Sequence, residues 1–360
     1  TAYDYKTLKG TLFPILNSLA RGLIRPGSHV LIKPNLLAPS PPDKAVVTHP
    51  HVIRAAVEYV LENRGRPCVS DSPAMGSFDK VIRESGLASA LEGLPVEMRE
   101  FKKSSEVDIG EPFKKIEIAE DALKADVMIN IPKLKTHSQM LLTLGVKNLF
   151  GCIVGMRKPE WHLRAGVNRE LFAQLLVGIY TRLKPSLTIL DGITAMEGQG
   201  PGRSGTPREL GILGVSTDAL VMDLTVMRML GLEPEALLTN KVAMDKGIAP
   251  VNISVDGKIP VIRDFILPRI SHLVFGPKTF HGLMRRHLVQ KPVVDATLCR
   301  LCGECWEYCP AKAITQGKKK IHFDYEQCIR CYCCLEVCPQ GALTTAEPLA
   351  GTVIRKLTKK

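Results

Sequence analysis

The chain has 360 residues, 45% of them hydrophobic and 23% charged, with a formal net charge of +12. That length and balance suit one large core plus a small second domain and exclude a disordered or fibrous protein. No apolar run is long enough to span a bilayer, and the N-terminus lacks the pattern of a secretion signal, so the expected compartment is the cytoplasm.

In chain order, the first twenty-two residues form an amphipathic helical pattern. SHVLIKPN (28–35) reads as a strand, HPHVIRAAVEYVLENRG (49–65) as a helix that starts near a proline and stops at a glycine. PCVSDSP (67–73) is a second strand, 77–93 a second helix and PVEMREF (95–101) a third strand. ADVMINIPKLKTH (125–137) contains a fourth strand and leads into a mixed region of helix and loop. A helix over 169–183 precedes the strand SLTILDG (186–192), and ELGILGVST (209–217) runs into the helix 217–231. Strands alternating with helices predict an α/β fold: an open, mostly parallel sheet with helices on both faces.

The rhythm breaks at 260–292, where Pro260, Pro268, Pro277 and Pro292 keep each basic, apolar piece short. This stretch reads as a packed linker rather than a membrane-surface helix. It separates a large domain (1–259) from a small α+β ferredoxin-like domain (293–346), which a basic tail (347–360) follows.

Nine of the eleven cysteines fall between Cys299 and Cys338, a bunching that indicates metal and not a disulfide framework. CRLCGECWEYCPAKAIT (299–315) and CIRCYCCLEVCPQGALT (328–344) superpose at a shift of 29 residues, each copy reading C-x2-C-x2-C-x3-C-P. This is the spacing of bacterial two-cluster ferredoxins, in which the fourth cysteine of each copy ligates the other cluster. One [4Fe–4S] cluster is therefore expected on Cys299, Cys302, Cys305 and Cys338, the other on Cys328, Cys331, Cys334 and Cys309. Structural zinc uses two C-x2-C pairs across a longer loop and fits this doubled pattern poorly. Cys333 has no counterpart in the first copy and is the non-ligand; Cys68 and Cys152 read as small buried residues.

Ligands of open parallel sheets bind beyond the carboxyl ends of the strands. The polar residues following the predicted strands are Lys33 and Asn35, Asp71, then Lys133, Lys135 and His137, then Asp191 and Glu197, with Lys147 and Asn148 in the mixed region. Several cations, amides and carboxylates at one sheet edge suit a phosphorylated or carboxylated small molecule. His137 is the acid/base candidate, Lys133 and Lys135 are candidate catalytic cations, and Asp71 and Asp191 could orient His137 or the substrate. Lys33, Asn35, Lys147, Asn148 and Glu197 are candidate ligand-holding residues. GPGRSG (200–205) matches a dinucleotide-binding pattern but is followed by a strand, so it reads as a loop over the site. No short motif indicates flavin.

The stretches IKPNLL (32–37), SDSP (70–73), NIPKLKTH with GVKNLFG (130–151), DGITAMEGQGP (191–201) and GVSTDALVMD (214–223) resemble an uncharacterised family, domain of unknown function 362. Its members often carry a C-terminal two-cluster ferredoxin module, and the resemblance spans residues 25–345. It implies an iron–sulfur protein of anaerobic or archaeal type metabolism and supplies no reaction.

The expected function is an oxidoreductase that passes electrons through two [4Fe–4S] clusters to or from an anionic small molecule or an unseen cofactor. The alternatives are a non-catalytic electron-transfer subunit and a redox sensor or scaffold. The scattered Lys and Arg residues read as solvated surface or as docking charge for an acidic electron-transfer protein, and nucleic acid is not expected.

Overall fold

Leu8, Leu12 and Leu16 recur every four residues and are fully buried, which makes the first segment an amphipathic helix, α1 (Tyr5–Leu19). Asp4 caps it by accepting from Thr7 N at 2.9 Å. The computed structural model describes residues 2–155, 157–166, 168–269 and 289–348. Most of the linker expected over 260–292, and nearly all of the tail expected over 347–360, lie outside those residues.

The chain continues through β1 (His29–Pro34), α2 (Pro50–Glu62), β2 (Arg66–Asp71), α3 (Phe78–Glu84), α4 (Leu87–Ala90) and β3 (Glu97–Glu100). The single helix expected over 77–93 is two, because Gly86 turns the backbone to a φ of +73° between them. Then come β4 (Ser104–Gly110), β5 (Lys114–Ala119), α5 (Glu120–Lys124), β6 (Val127–Ile131), β7 (Lys133–His137), β8 (Leu141–Thr143) and α6 (Gly145–Asn148). The large domain ends with α7 (Arg157–Ala165), α8 (Arg169–Leu183), β9 (Leu187–Gly198), β10 (Gly205–Ser216), α9 (Ala219–Met229) and α10 (Leu238–Asp245).

The eight-stranded sheet runs β3-β2-β1-β6-β9-β7-β8, with β10 antiparallel on the other edge of β9. Neighbours among β3, β2, β1, β6 and β9 are parallel. Successive side chains of a strand face opposite ways, and β1 shows the consequence. Val30 and Ile32 enter the core beneath α1 and α2, whereas Leu31 enters the core beneath α8 and α9. Helices therefore cover both faces, and the fold is the mostly parallel α/β sheet that the alternation predicts.

The C-terminal part folds as β11 (Lys291–Val294), α11 (Glu304–Glu307), β12 (Ile314–Gln316), β13 (Ile321–Phe323), α12 (Cys333–Glu336) and β14 (Leu343–Ala346). β11 pairs with β14 and β12 with β13, both antiparallel. The sequence repeat is a structural one. Asp295 N donates to Ala342 O and Asp324 N to Ala313 O, both at 2.8 Å, so each copy closes on the other.

Candidate functional site at the seam of sheet and cysteine domain

At the carboxyl end of β1, Lys33 Nζ donates to Asp71 Oδ1 at the end of β2 (2.8 Å) and to Pro34 O (2.8 Å). Asp71 is held in turn by Leu36 N on Oδ2 and Ser72 N on Oδ1, both at 2.9 Å. Both side chains are buried. Gly151 packs directly on this pair: a Cβ there would lie 2.3 Å from Asp71 Oδ1 and 2.5 Å from Lys33 Nζ.

Beside the pair runs an amide chain. Asn35 Nδ2 donates to Asn148 Oδ1 (2.9 Å), and Asn148 Nδ2 donates to Asn130 Oδ1 (2.8 Å). Asn130 Nδ2 donates to Gly145 O at 2.9 Å. The start of α6 is fixed by buried Asp223, which accepts from Gly145 N (2.7 Å) and Val146 N (3.1 Å). Burial pushes the Asp223 carboxyl up to about 8, against the pull of those two N–H groups. This anchoring presents Lys147 to the cavity described below.

The basic side chains of β7 reach separate partners. Lys133 donates to Asp191 Oδ2 (2.9 Å) and to the hydroxyl of Tyr3 (2.7 Å), while Tyr3 donates to Asp191 Oδ1 (2.6 Å). His49 N also donates to Asp191, and the His49 ring stacks on Tyr3 at 3.6 Å. Burial lowers the Lys133 pKa and Asp191 opposes that shift. Lys135 donates to Val46 O at 2.7 Å, and burial followed by the charge of Lys147 pulls its pKa well down. His137 Nδ1 accepts from Gln139 N and Met140 N, which places the ring proton of neutral His137 on Nε2. Burial and Lys147 bring His137 down to about 4.

One cavity of about 240 Å³ opens where Lys33, Asp71 and Glu100 end their strands. Of the residues expected at the site, it gathers Lys33, Asn35, Asp71, Lys135, Lys147 and Asn148. Lys133 and Asp191 belong to the Tyr3 cluster and do not line it; His137 stands behind Glu336. Glu197 also lies elsewhere, paired with Arg208 Nη1 at 2.8 Å and accepting from Ile266 N at 3.0 Å.

Sequence reasoning missed the wall made by α7 and the chain before it. Lys158 donates to Ser72 O (2.6 Å) and Ser72 Oγ (2.8 Å), and burial lowers its pKa to about 8. His162, stacked on Phe172 at 4.3 Å, is brought down by burial to about 3. Among the described residues, three lining atoms are buried with neither a hydrogen-bond nor an ion-pair partner: Asn35 Oδ1, Thr143 Oγ1 and His162 Nδ1. The amphipathic spacing of 157–165 was the available signal.

All eleven cysteines of the chain are free of disulfides, and nine of them lie in the C-terminal part. Cys299, Cys302, Cys305 and Cys338 line one void, and Cys309, Cys328, Cys331 and Cys334 line a second. Ala313 N donates to Cys309 Sγ and Ala342 N to Cys338 Sγ, both at 3.3 Å, the same contact in each copy. Positive φ recurs at Leu301 and Arg330, at Gly303 and Tyr332, and at Lys312 and Gly341, one shift of 29 apart. Such turns direct successive N–H groups into a concavity that favours anionic sulfide. Among the described residues no three His, Cys, Asp or Glu side chains close on a point as one ion requires. Thiols ringing two voids, with N–H groups on sulfur, fit a pair of [4Fe–4S] clusters.

The cysteine domain also builds a wall of the cavity. Cys333 lines both the second void and the cavity, and Tyr308, Glu336 and Val337 line the cavity beside it. Glu336 Oε1 stands 2.9 Å from His137 Nε2. Burial raises the Glu336 pKa, but His137, Lys147 and His162 outweigh it and leave the carboxyl at about 2. GPGRSG is the clasp of this seam. Ser204 Oγ donates to Leu343 O (2.9 Å), Arg203 Nη2 to Pro39 O (3.3 Å), and a Cβ on Gly202 would lie 2.9 Å from Leu335 O.

Fold and site together define an α/β protein with a two-cluster iron–sulfur domain and a lysine-rich cavity at their junction. The chain belongs to the family described as domain of unknown function (DUF362), whose model matches residues 30–228. A 4Fe-4S dicluster domain matches residues 291–339. A thylakoid-associated protein of Synechocystis sp. is 35% identical over 292 residues, covering 76% of this chain and 91% of that protein. The lactate racemase apoprotein of Thermoanaerobacterium thermosaccharolyticum aligns with a TM-score of 0.38 at 11% identity, over 57% of this chain and about half (49%) of its own. Among the described residues no helix is long and apolar enough to cross a membrane.

Proposed function

We propose that the protein is an iron–sulfur oxidoreductase that acts on a small anionic molecule bound in the cavity between sheet and cysteine domain. The observation that carries this reading is the shared wall. Cys333 and Glu336 belong to the cluster-binding repeat and line the same space as Lys33, Lys135, Lys147 and Lys158. The two clusters, when bound, would supply one-electron transfer.

The chain's own residues do the rest. Lys147 and Lys158 attract an anion, and the unpartnered Thr143 hydroxyl can donate to it. Lys158, with a pKa of about 8, can trade a proton near neutral pH. His137 sits behind Glu336 and positions that carboxylate. Leu36, Leu37 and Phe150 supply apolar walls that limit water. The volume fits a ligand of roughly eight heavy atoms, given about 30 Å³ for one water.

Electrons would enter from a protein partner at the opposite end, where Cys302 is exposed and Leu298 is 49% exposed. Free thiols throughout suit a reducing compartment such as the cytoplasm. The test is anaerobic mixing of the reduced holoprotein with a panel of small carboxylates and phosphates, followed by cluster absorbance. Reoxidation whose rate saturates with one class of ligand is expected. Reduced clusters that persist with every member would remove the reading.

A further inference from the structure

The four cavity lysines are not equivalent. Lys33 is tied to Asp71 and Pro34 O, Lys135 to Val46 O, and Lys158 to Ser72. Lys147 alone of the four makes no hydrogen bond or ion pair among the described residues. It is half-buried, on a helix whose start is pinned by Asp223, and its side chain lines the cavity. An amine on a pinned helix start, without a hydrogen-bond partner among the described residues and facing the cavity, has the setting of a nucleophile and not of a structural cation.

Two further features agree. Burial lowers the Lys147 pKa, against the charges of Glu336 and Cys333, which enlarges the share of free amine at neutral pH. Lys158, across the same space, remains available for a carboxylate. We propose that Lys147 captures the carbonyl carbon of a small oxo acid as an imine, with the acid's carboxylate held by the neighbouring lysines.

The atoms balance without an oxidant. The Nζ lone pair forms the C–N bond, the carbonyl π electrons move to oxygen, and that oxygen leaves as water with the two amine protons. The imine draws electron density from the adjacent carbon, which prepares the bound acid for addition of electrons or loss of a proton. This proposal rests on the reading of the cavity as a site for small anions, but it does not require electron transfer.

The experiment uses the intact holoprotein with oxidised clusters, under anaerobic conditions, with limiting glyoxylate and cyanoborohydride at neutral pH. Reduction of the imine leaves the modified lysine heavier by one carboxymethyl group, which peptide mass mapping locates. Lys147 is expected to label faster than exposed Lys319, since a lowered pKa enlarges its share of free amine at neutral pH. Lys147→Arg should abolish the fast label while leaving labelling of Lys319 unchanged. Labelling of Lys147 no faster than Lys319 overturns the proposal. An adduct on Lys147 together with clusters that no ligand reoxidises would separate this inference from the redox reading and leave only the inference standing.

Discussion

Glu336 of the cluster-binding repeat and His137 of the sheet meet at 2.9 Å, so one carboxylate from the cysteine domain reaches a buried histidine of the large domain. Its equivalent in the first copy, Glu307, is exposed to solvent. The repeat is thus symmetric in its cysteines and asymmetric in what it docks. Glu336→Gln keeps the shape but removes the charge, and should destabilise the seam by about 1–3 kcal/mol while iron content stays at the wild-type value. Denaturant midpoints beside iron assays check this.

Gly151→Ala should cost more. The added methyl falls on the Lys33–Asp71 pair, and breaking a buried pair costs about 3–5 kcal/mol. A fall in thermal midpoint, together with weaker binding of any cavity ligand, is the expected result. A midpoint equal to wild type would show that the pair can move aside.

The non-ligand role of Cys333 separates cleanly from its neighbours. Cys333→Ser should retain full iron content and both cluster signals, whereas Cys338→Ser should lose about half of the iron. Iron analysis and low-temperature EPR on anaerobically purified protein distinguish them.

Acid should destabilise the fold through its buried histidines. His137 and His162 have pKa values of about 4 and about 3 against an ordinary 6.5, so the folded chain holds them neutral while the unfolded chain takes up their protons. Their contribution is present above pH 6.5 and is lost as the pH falls from there toward those folded values. Each loses about 1.4 kcal/mol per pH unit inside that window. His162→Phe, in a site already walled by Phe150 and Phe172, should flatten the acid limb by about one histidine's share.

Much of the site was legible because parallel strands deliver their next residues to one edge, as Lys33 and Asp71 show. What was hidden came from distant pieces of chain. Tyr3 lies 188 residues from Asp191, and its hydroxyl draws Asp191 and Lys133 into a sealed cluster that no local pattern announces. Glu336 was masked by its own repeat, since only docking distinguishes it from Glu307. The hairpin of β4 and β5 escaped because its strands alternate charged and apolar residues on a partly exposed surface. The break between α3 and α4 depends on one glycine's backbone, which periodicity does not register.

The cavity and the cysteine void beside it share Cys333 as a wall, so a ligand in one must be felt by the other. A redox titration of both clusters, with and without a saturating anionic ligand, tests it by linkage. An anion beside Cys333 should lower at least one midpoint potential, and Lys158→Gln should reduce the shift by weakening the ligand. Potentials unchanged by a ligand that protects Lys147 from labelling would contradict it.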